Sequence, residues 1–381
     1  MDKKRVPLGD YVTEYSVRNK SDEDIPVYSV TNSQGFCTEY FDKEVASKDK
    51  KTYKIVPRGY FAYNPSRINV GSVDWQRFED KVIVSPLYNV FYVSEEMDQQ
   101  YLYYFLRSDI GRQMIKAKAS GSVRDNLKMD MLKEMTIPYK TFEEQKKCVD
   151  TLDELQKIIA LREKEIEKLD DLIKARFVEL FGNPVLNDKG WEQKSLGEIS
   201  SKIGSGATPR GGKEAYQENG ITLIRSKNVY NGQFEYKDLA HISDEQAEKL
   251  DNVTIEENDV LLNITGASVA RCCVVPSEIL PARVNQHVCI IRCKDCIIPE
   301  FLNKLLIDDN YQYLLWSIAG SGATREAITK QQVENLQIIL PPLVLQNQFM
   351  EFCNQVDKSK FININIIPEG GFYNGDKFYI S

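Results

Sequence analysis

The chain has 381 residues, 42% hydrophobic and 28% charged, which is ordinary for a globular protein with room for two or three domains. No apolar run follows the basic start Met1-Asp2-Lys3-Lys4-Arg5, and no stretch approaches the roughly 20 apolar residues of a membrane helix, so neither signal peptide nor membrane span is expected and the location is read as cytoplasmic. The net charge of −7 excludes a globally basic surface. Residues 1–141 nonetheless carry 22 Lys/Arg against 20 Asp/Glu, so any nucleic-acid footprint must be a local stripe.

In chain order, short strands such as 81–86 and a helix over 97–118 predict a mixed α/β first domain, residues 1–141. Thr141-Phe142-Glu143-Glu144 then reads as a capping box opening a spacer helix over 142–181, about 60 Å long. Leu152, Ile159, Ile166, Ile173 and Leu180 recur every seventh residue, with Leu155 and Leu169 between them, which predicts a coiled-coil seam interrupted by Arg162 and Arg176. Phe181-Gly182-Asn183-Pro184 ends it, Gly as the left-handed cap and Pro blocking continuation. A second mixed α/β domain follows over 182–342, with strands at 258–265 and 288–293 and a helix over 299–318. Residues 343–360 predict a shorter distal helix. Residues 361–381 read as an atypical tail, because Phe361 to Ile367 alternates like a strand and Pro368 follows. A distal helix that short leaves the seam at Ile166, Leu169, Ile173 and Leu180 exposed, which predicts self-association or a covering partner.

The two domains are copies of one another. Leu8-Gly9-Asp10 is echoed by Leu196-Gly197-Glu198, Tyr63-Asn64-Pro65-Ser66 by Leu262-Asn263-Ile264-Thr265, and Val84-Ser85-Pro86-Leu87 by Val284-Asn285-Gln286-His287. Gly121 matches Gly322, and Phe142 to Gln145 matches Leu343 to Gln346, in the same order along the chain. The fold class expected is therefore α/β: two similar mixed domains separated by long coiled-coil helices.

No catalytic constellation is expected. His241 and His287 are the only histidines and suit no acid–base or nucleophile system; Asn64-Pro65-Ser66-Arg67 lacks the second Pro and aromatic of an amino-methyltransferase loop; Gly204 to Lys213 lacks the first Gly and the Ser/Thr of a phosphate loop. Eight scattered cysteines read as reduced core thiols, and Cys293-Lys294-Asp295-Cys296 lacks the second pair that a zinc site needs, so no metal is expected. What remains is a set of polar, Gly-rich loops at equivalent places. Asn64, Ser66, Arg67, Asn69 and Arg124 are the candidate DNA contacts of the first copy. Those of the second are Thr208, Arg210, Ser226, Lys227, Asn228, Thr265, Ser268, Asn285, Gln286 and Arg325. Arg can grip guanine bidentately, Asn or Gln adenine, and Ser, Thr and Lys suit phosphates.

With these motifs, from Leu8 to about Lys360, the chain resembles the specificity subunits of type I restriction–modification systems. The resemblance rests on the Leu-Gly-Asp and Trp191-to-Glu198 entries, Tyr63 to Ser72, Asn285-Gln286-His287, Gly320 to Arg325 and Pro341-Pro342-Leu343. It implies a non-catalytic subunit whose two target-recognition domains each read half of a bipartite site in double-stranded DNA. It also implies long helices that set the separation and dock methyltransferase subunits, with restriction–translocase subunits joining the assembly. S-adenosylmethionine, ATP and magnesium then belong to the partners and no cofactor to this chain. Two other readings stay open: a coiled-coil scaffold with two protein- or glycan-binding modules, and an inactive or phase-variable allele, given the tail.

Overall fold

The computed structural model describes residues 4–38, 50–119, 126–208, 212, 216–320, 326–365, 371–374 and 377–380. The chain divides into two compact units, Glu165–Asn363 and the remainder.

In the first unit, the antiparallel sheet has the strand order Val12–Glu14, Asn89–Val93, Phe61–Tyr63, Val73–Trp75. In the second, Ser200–Ser205, Val288–Cys293, Val260–Asn263 and Cys272–Val274 follow the same order, also antiparallel. The duplication read from scattered motifs is thus a duplication of topology. In each unit the entry strand pairs with the strand that closes the domain: Arg5–Pro7 with Thr136–Pro138, and Gln193–Ser195 with Gln337–Ile339. A helix pair covers each sheet, Gln99–Arg107 with Asp109–Ala119, and Pro299–Leu306 with Asp309–Gly320. Phe61, Phe91, Leu102 and Leu106 lie in one core; Leu262, Ile291, Phe301 and Leu305 lie in the other.

The repeated Leu-Gly-acid entry has a packing cause. Leu8 and Leu196 are fully buried, and a Cβ on the following glycine would meet the Lys133 carbonyl oxygen at 3.2 Å in one copy and that of Glu334 at 3.3 Å in the other. A side chain at either glycine would require that backbone to give by a few tenths of an ångström.

The central helix runs Phe142–Phe181, 40 residues, and opens on the capping box read from sequence. The Thr141 amide donates to Glu144 Oε2 at 2.8 Å, and the Glu144 amide to Thr141 Oγ1 at 3.3 Å. These bonds favour the carboxylate and hold the Glu144 pKa below its usual value. The helix ends at Gly182, φ +74°, whose amide donates to the Val178 carbonyl at 2.9 Å.

One turn inside each long helix sits a buried glutamine. Gln145 Nε2 donates to the carbonyls of Glu96 (2.9 Å) and Lys140 (3.1 Å), and its Oε1 accepts the Asp98 amide at 2.8 Å. Gln346 repeats this with the Pro341 carbonyl (2.8 Å), the Cys296 carbonyl (3.3 Å) and the Ile298 amide (2.9 Å). Both side chains bond the loop ahead of the helix pair, so each long helix is fastened to its own domain.

The second long helix spans Leu343–Asn365, five residues beyond the end read from sequence. Its direction overturns the expectation of an exposed distal seam. Phe349, near its start, packs 5.5 Å from Phe177 and 5.5 Å from Phe181, near the end of the central helix. Phe352 lies under the Arg176 guanidinium, and Lys360 Nζ reaches Asp170 at 2.6 Å. The helices are antiparallel, so the short one starts where the long one ends. Ile173 is accordingly 6% exposed, and Leu169 and Leu180 are partly buried against the same core. All seven seam residues are buried or half-buried, whereas Ile158 and Leu161 beside them are 52% and 67% exposed.

Phe349 is fully buried among Phe177, Phe181 and Phe301. Phe349→Ala is expected to lower unfolding stability by about 3–5 kcal/mol, while Val344→Ala, five residues earlier and 67% exposed, shifts it by about 0.5 kcal/mol or less in denaturant titrations.

Candidate nucleic-acid interface

The two sheets end in equivalent loops. In the first unit, residues 64–72 join Phe61–Tyr63 to Val73–Trp75. Asn64 Oδ1 accepts the Ser66 amide at 3.1 Å and the Ser66 hydroxyl at 2.9 Å, a turn that leaves Ser66 and Arg67 exposed. Asn64, Ser66, Arg67 and Asn69 line one polar cleft of about 390 Å³, together with Ser29, Thr31 and Asn32. Four of the five residues expected in this copy therefore lie on one site. The fifth, Arg124, falls outside the described residues. The chain that emerges from its loop returns to this place, for the Leu127 amide donates to the Pro65 carbonyl at 3.0 Å. Asn69 Oδ1 is buried at the cleft and has no hydrogen-bond partner among the described residues.

What holds the cleft open was not legible in the sequence. Arg107, 6% exposed, donates to the Gly71 carbonyl at 3.0 Å and to the Asn32 carbonyl at 2.6 Å, joining two walls. Its guanidinium also stacks on Tyr103. Asp74, 1% exposed, accepts the Phe36 amide at 3.0 Å and pairs with Arg77 at 3.1 Å, which ties the hairpin Ser29–Cys37 to the sheet. Burial pushes the Asp74 carboxyl pKa up, against the pull of Arg77 and the two backbone amides. A buried arginine at the end of a helix gives no pattern to read, because the carbonyls it serves are 36 and 75 residues away.

In the second unit the corresponding loop, residues 264–271, carries Thr265 and Ser268. The chain beyond its Gly-rich loop again returns here, the Ile328 amide donating to the Ile264 carbonyl at 2.8 Å and the Gly266 amide to the Glu326 carbonyl at 2.9 Å. Ala270 has φ +73° where the first copy has Gly71 at +97°, and a helix side chain again holds that residue's carbonyl: Gln312 Nε2 at 2.9 Å. Thr208 approaches from a third segment. Its loop can come this close because position 206 is glycine: a Cβ there would strike the Val284 carbonyl oxygen at 1.8 Å. The Thr208 hydroxyl donates to Gln286 Oε1, Gln286 Nε2 lies 2.9 Å from His287 Nε2, and His287 Nδ1 bonds Thr265 Oγ1. Thr208, Gln286 and Thr265, predicted from separate segments, are thus joined through His287, which the sequence reading left without a role.

Several expected contacts carry hydrogen bonds or ion pairs within the fold. Asn228 is fully buried; its Nδ2 donates to the Glu235 carbonyl at 2.9 Å and its Oδ1 accepts the Arg225 amide at 3.1 Å. Asn285, 5% exposed, accepts the His287 amide at 3.0 Å. Both amides are buried and shape their own loops. Lys227 is exposed but paired with Asp238 at 2.7 Å, and Ser226 supplies a carbonyl to Asn263 Nδ2 at 2.8 Å. Arg210 and Arg325 lie outside the described residues. The Cys293 thiol pKa is pushed up to about 12, by burial first and then by Asp259 and Cys296. Among the described residues no helix is long and apolar enough to cross a membrane.

Fold and loops together define a duplicated α/β protein, with polar loops at equivalent places of each copy and a long helix after each domain. The family model for the type I restriction modification DNA specificity domain matches residues 10–171 and again 188–369. The chain belongs to that family. It is 28% identical over 270 residues to the Type I restriction enzyme MjaIX specificity subunit of Methanocaldococcus jannaschii, a match covering 66% of this chain and 60% of that protein. The chain thus spans about three fifths of the length of that relative. Among solved structures, a chain from work on complex assembly and conformational transition of the type I R-M system superposes with TM-score 0.63 at 19% identity, over 96% of this chain and 94% of the other. The type I restriction–modification S subunit from M. genitalium gives TM-score 0.52 at 14% identity, over 96% and 92%. Both share the fold.

Arg107→Met removes both donors to the cleft walls. Amide hydrogen exchange is expected to quicken at residues 67–73 and leave 61–63 unchanged, with a stability loss of about 1–3 kcal/mol for each carbonyl left unpaired.

Proposed function

We propose that this chain is the DNA sequence-recognition subunit of a type I restriction–modification complex. Each unit reads one part of a bipartite double-stranded site, and the long helices dock methyltransferase subunits, with restriction–translocase subunits joining them. The observation that carries the reading is the convergence, in both units, of polar loops from separate strands onto equivalent places of one repeated framework. The second unit adds a hydrogen-bonded row of Thr208, Gln286, His287 and Thr265. The chain itself does no chemistry in this reading: its titratable groups serve structure, as with Asp74 and Arg107. S-adenosylmethionine, ATP and magnesium act on the partner subunits, in the cytoplasm.

The net charge of −7 makes weak binding by the free chain the natural outcome, with affinity supplied jointly by this chain and its partners. Arg67 is exposed in the first cleft and contributes one cation there. Methylation mapping of cells carrying the whole system should return a two-part motif with an unread gap. Arg67→Ala should relax the first part alone, by about 1–3 kcal/mol if it grips a base. Equal relaxation of both parts, or a single continuous motif, contradicts separate reading.

A further inference from the structure

We propose that each unit carries a second reading element, a short β-hairpin beside the loop already described, whose tip enters the DNA major groove and selects bases. Gln34 in the first unit and Gln233 in the second are the side chains assigned to this task. The inference rests on the recognition role proposed above and deepens it by naming specificity-determining residues.

One hairpin joins Ser29–Thr31 to Gly35–Cys37, the other Val229–Tyr230 to Gln233–Phe234. Their sequences echo one another, Val30-Thr31-Asn32-Ser33-Gln34 against Val229-Tyr230-Asn231-Gly232-Gln233. Val30 pairs with Phe36 and Val229 with Phe234, and all four side chains are buried. Each hairpin is fastened to the fourth strand of its sheet. The Phe36 amide donates to Asp74 Oδ2 at 3.0 Å, and the Gly232 amide to the Cys272 carbonyl at 2.8 Å. Each turn is also fastened to the helix pair, by the same side chain that holds the neighbouring loop. Arg107 serves the carbonyls of Asn32 and Gly71. Gln312 serves the Ala270 carbonyl, and its oxygen accepts from Asn231 Nδ2 at 3.2 Å. In both units a single buried group therefore sets hairpin and loop against one another.

Gln34 and Gln233 are exposed, and their side chains have no hydrogen-bond partner among the described residues. Each hairpin also has a cation beside it. Arg67 lines the first cleft together with Ser29, Thr31 and Asn32, and Arg271 lies over the Tyr230 ring, 4.3 Å from its centroid. Neither arginine has an ion-pair partner among the described residues. An unspent amide next to an unneutralised cation fits a base edge next to a phosphate. A two-stranded ribbon is narrow enough for the major groove, about 12 Å wide. Because strand and turn are already tethered, little backbone freedom is left to lose on binding. A protein partner docked alike on both units would need one surface twice. The hairpins repeat their buried anchors but not their tips. The first turn is Asn32-Ser33-Gln34 and the second only Asn231-Gly232, and Thr31 stands where the second has the exposed Tyr230. Shared placement with unlike tips suits two half-sites of different sequence.

The test uses the full chain assembled with its methyltransferase partners and a library of duplexes randomised at each motif position, with methylation rate as the readout. Gln34→Ala is expected to lower base preference about ten-fold at one position, or two adjacent ones, of the first half-site and leave the second unchanged. Gln233→Ala should do the reverse. Both side chains are exposed and unbonded, so neither variant should shift the unfolding midpoint. Unaltered base preferences in either variant overturn the inference for that unit, and a two-part wild-type motif then leaves the recognition role standing. Equal slowing of all sequences also overturns it, by assigning the tips to phosphates. So does weaker methyltransferase binding at unchanged preference, which would make the hairpins a protein-docking surface. A wild-type complex with no two-part motif refutes the recognition role and this inference together.

Discussion

A buried glutamine one turn into each long helix is the contact on which the architecture depends. Gln145 and Gln346 each spend three hydrogen bonds on backbone groups of their own domain: the carbonyl just before the helix, and a carbonyl and an amide ahead of the domain's helix pair. Both glutamine side chains are buried and their bonds largely shielded, so an apolar replacement would cost up to about 1–3 kcal/mol for each backbone group that water cannot reach. The consequence is geometric. At its first turn each long helix is thereby fastened to its own domain. Placing the same latch in both copies is how one duplicated sequence builds two equivalent junctions.

On that fixed framework the reading loops are free to differ. A residue late in the loop has a positive φ in each copy, Gly71 and Ala270, and a helix side chain holds its carbonyl in both. The holding groups are unrelated: an arginine in one, a glutamine in the other. The loops in front diverge further. The first copy offers an open polar cleft with Arg67 and an unpaired Asn69 oxygen; the second offers a hydrogen-bonded row ending in Gln286. A conserved backbone shape with interchangeable side chains suits a protein whose two halves do the same task on different sequences. The net charge of −7 fits the proposed reading, in which recognition falls to a few placed side chains rather than to a basic surface.

Much of this was legible in the sequence where the cause is local or periodic. The capping box at Thr141, the stop at Gly182 and the seven-residue seam are set by neighbours within a turn or two, and each stands where the pattern put it. The duplication was readable because its anchors keep their order. What escaped depends on partners far along the chain. Spacing gives no helix direction, so the seven-residue pattern alone places the seam's occupant on the wrong half; the Phe349 contacts with Phe177 and Phe181 supply the direction. The alternation from Phe361 suggested a strand, yet the helix runs on to Asn365 because it is already formed and propagation costs less than a new start. Asn228 and Asn285 carry the residue type of a base reader, but burial turns their amides inward. Arg107 and His287 carry no periodic signal and acquire their roles from carbonyls and hydroxyls that only the fold brings near.

On the proposed reading, two separate surfaces of one chain touch two separate stretches of DNA. Hydroxyl-radical footprinting of the assembled complex on a duplex bearing its own site tests this directly. The account predicts two protected patches divided by an accessible gap, with variants of the first cleft clearing one patch and variants of the Thr208–Gln286 row clearing the other. A single continuous footprint, or two patches that vanish together with either set of variants, would contradict it.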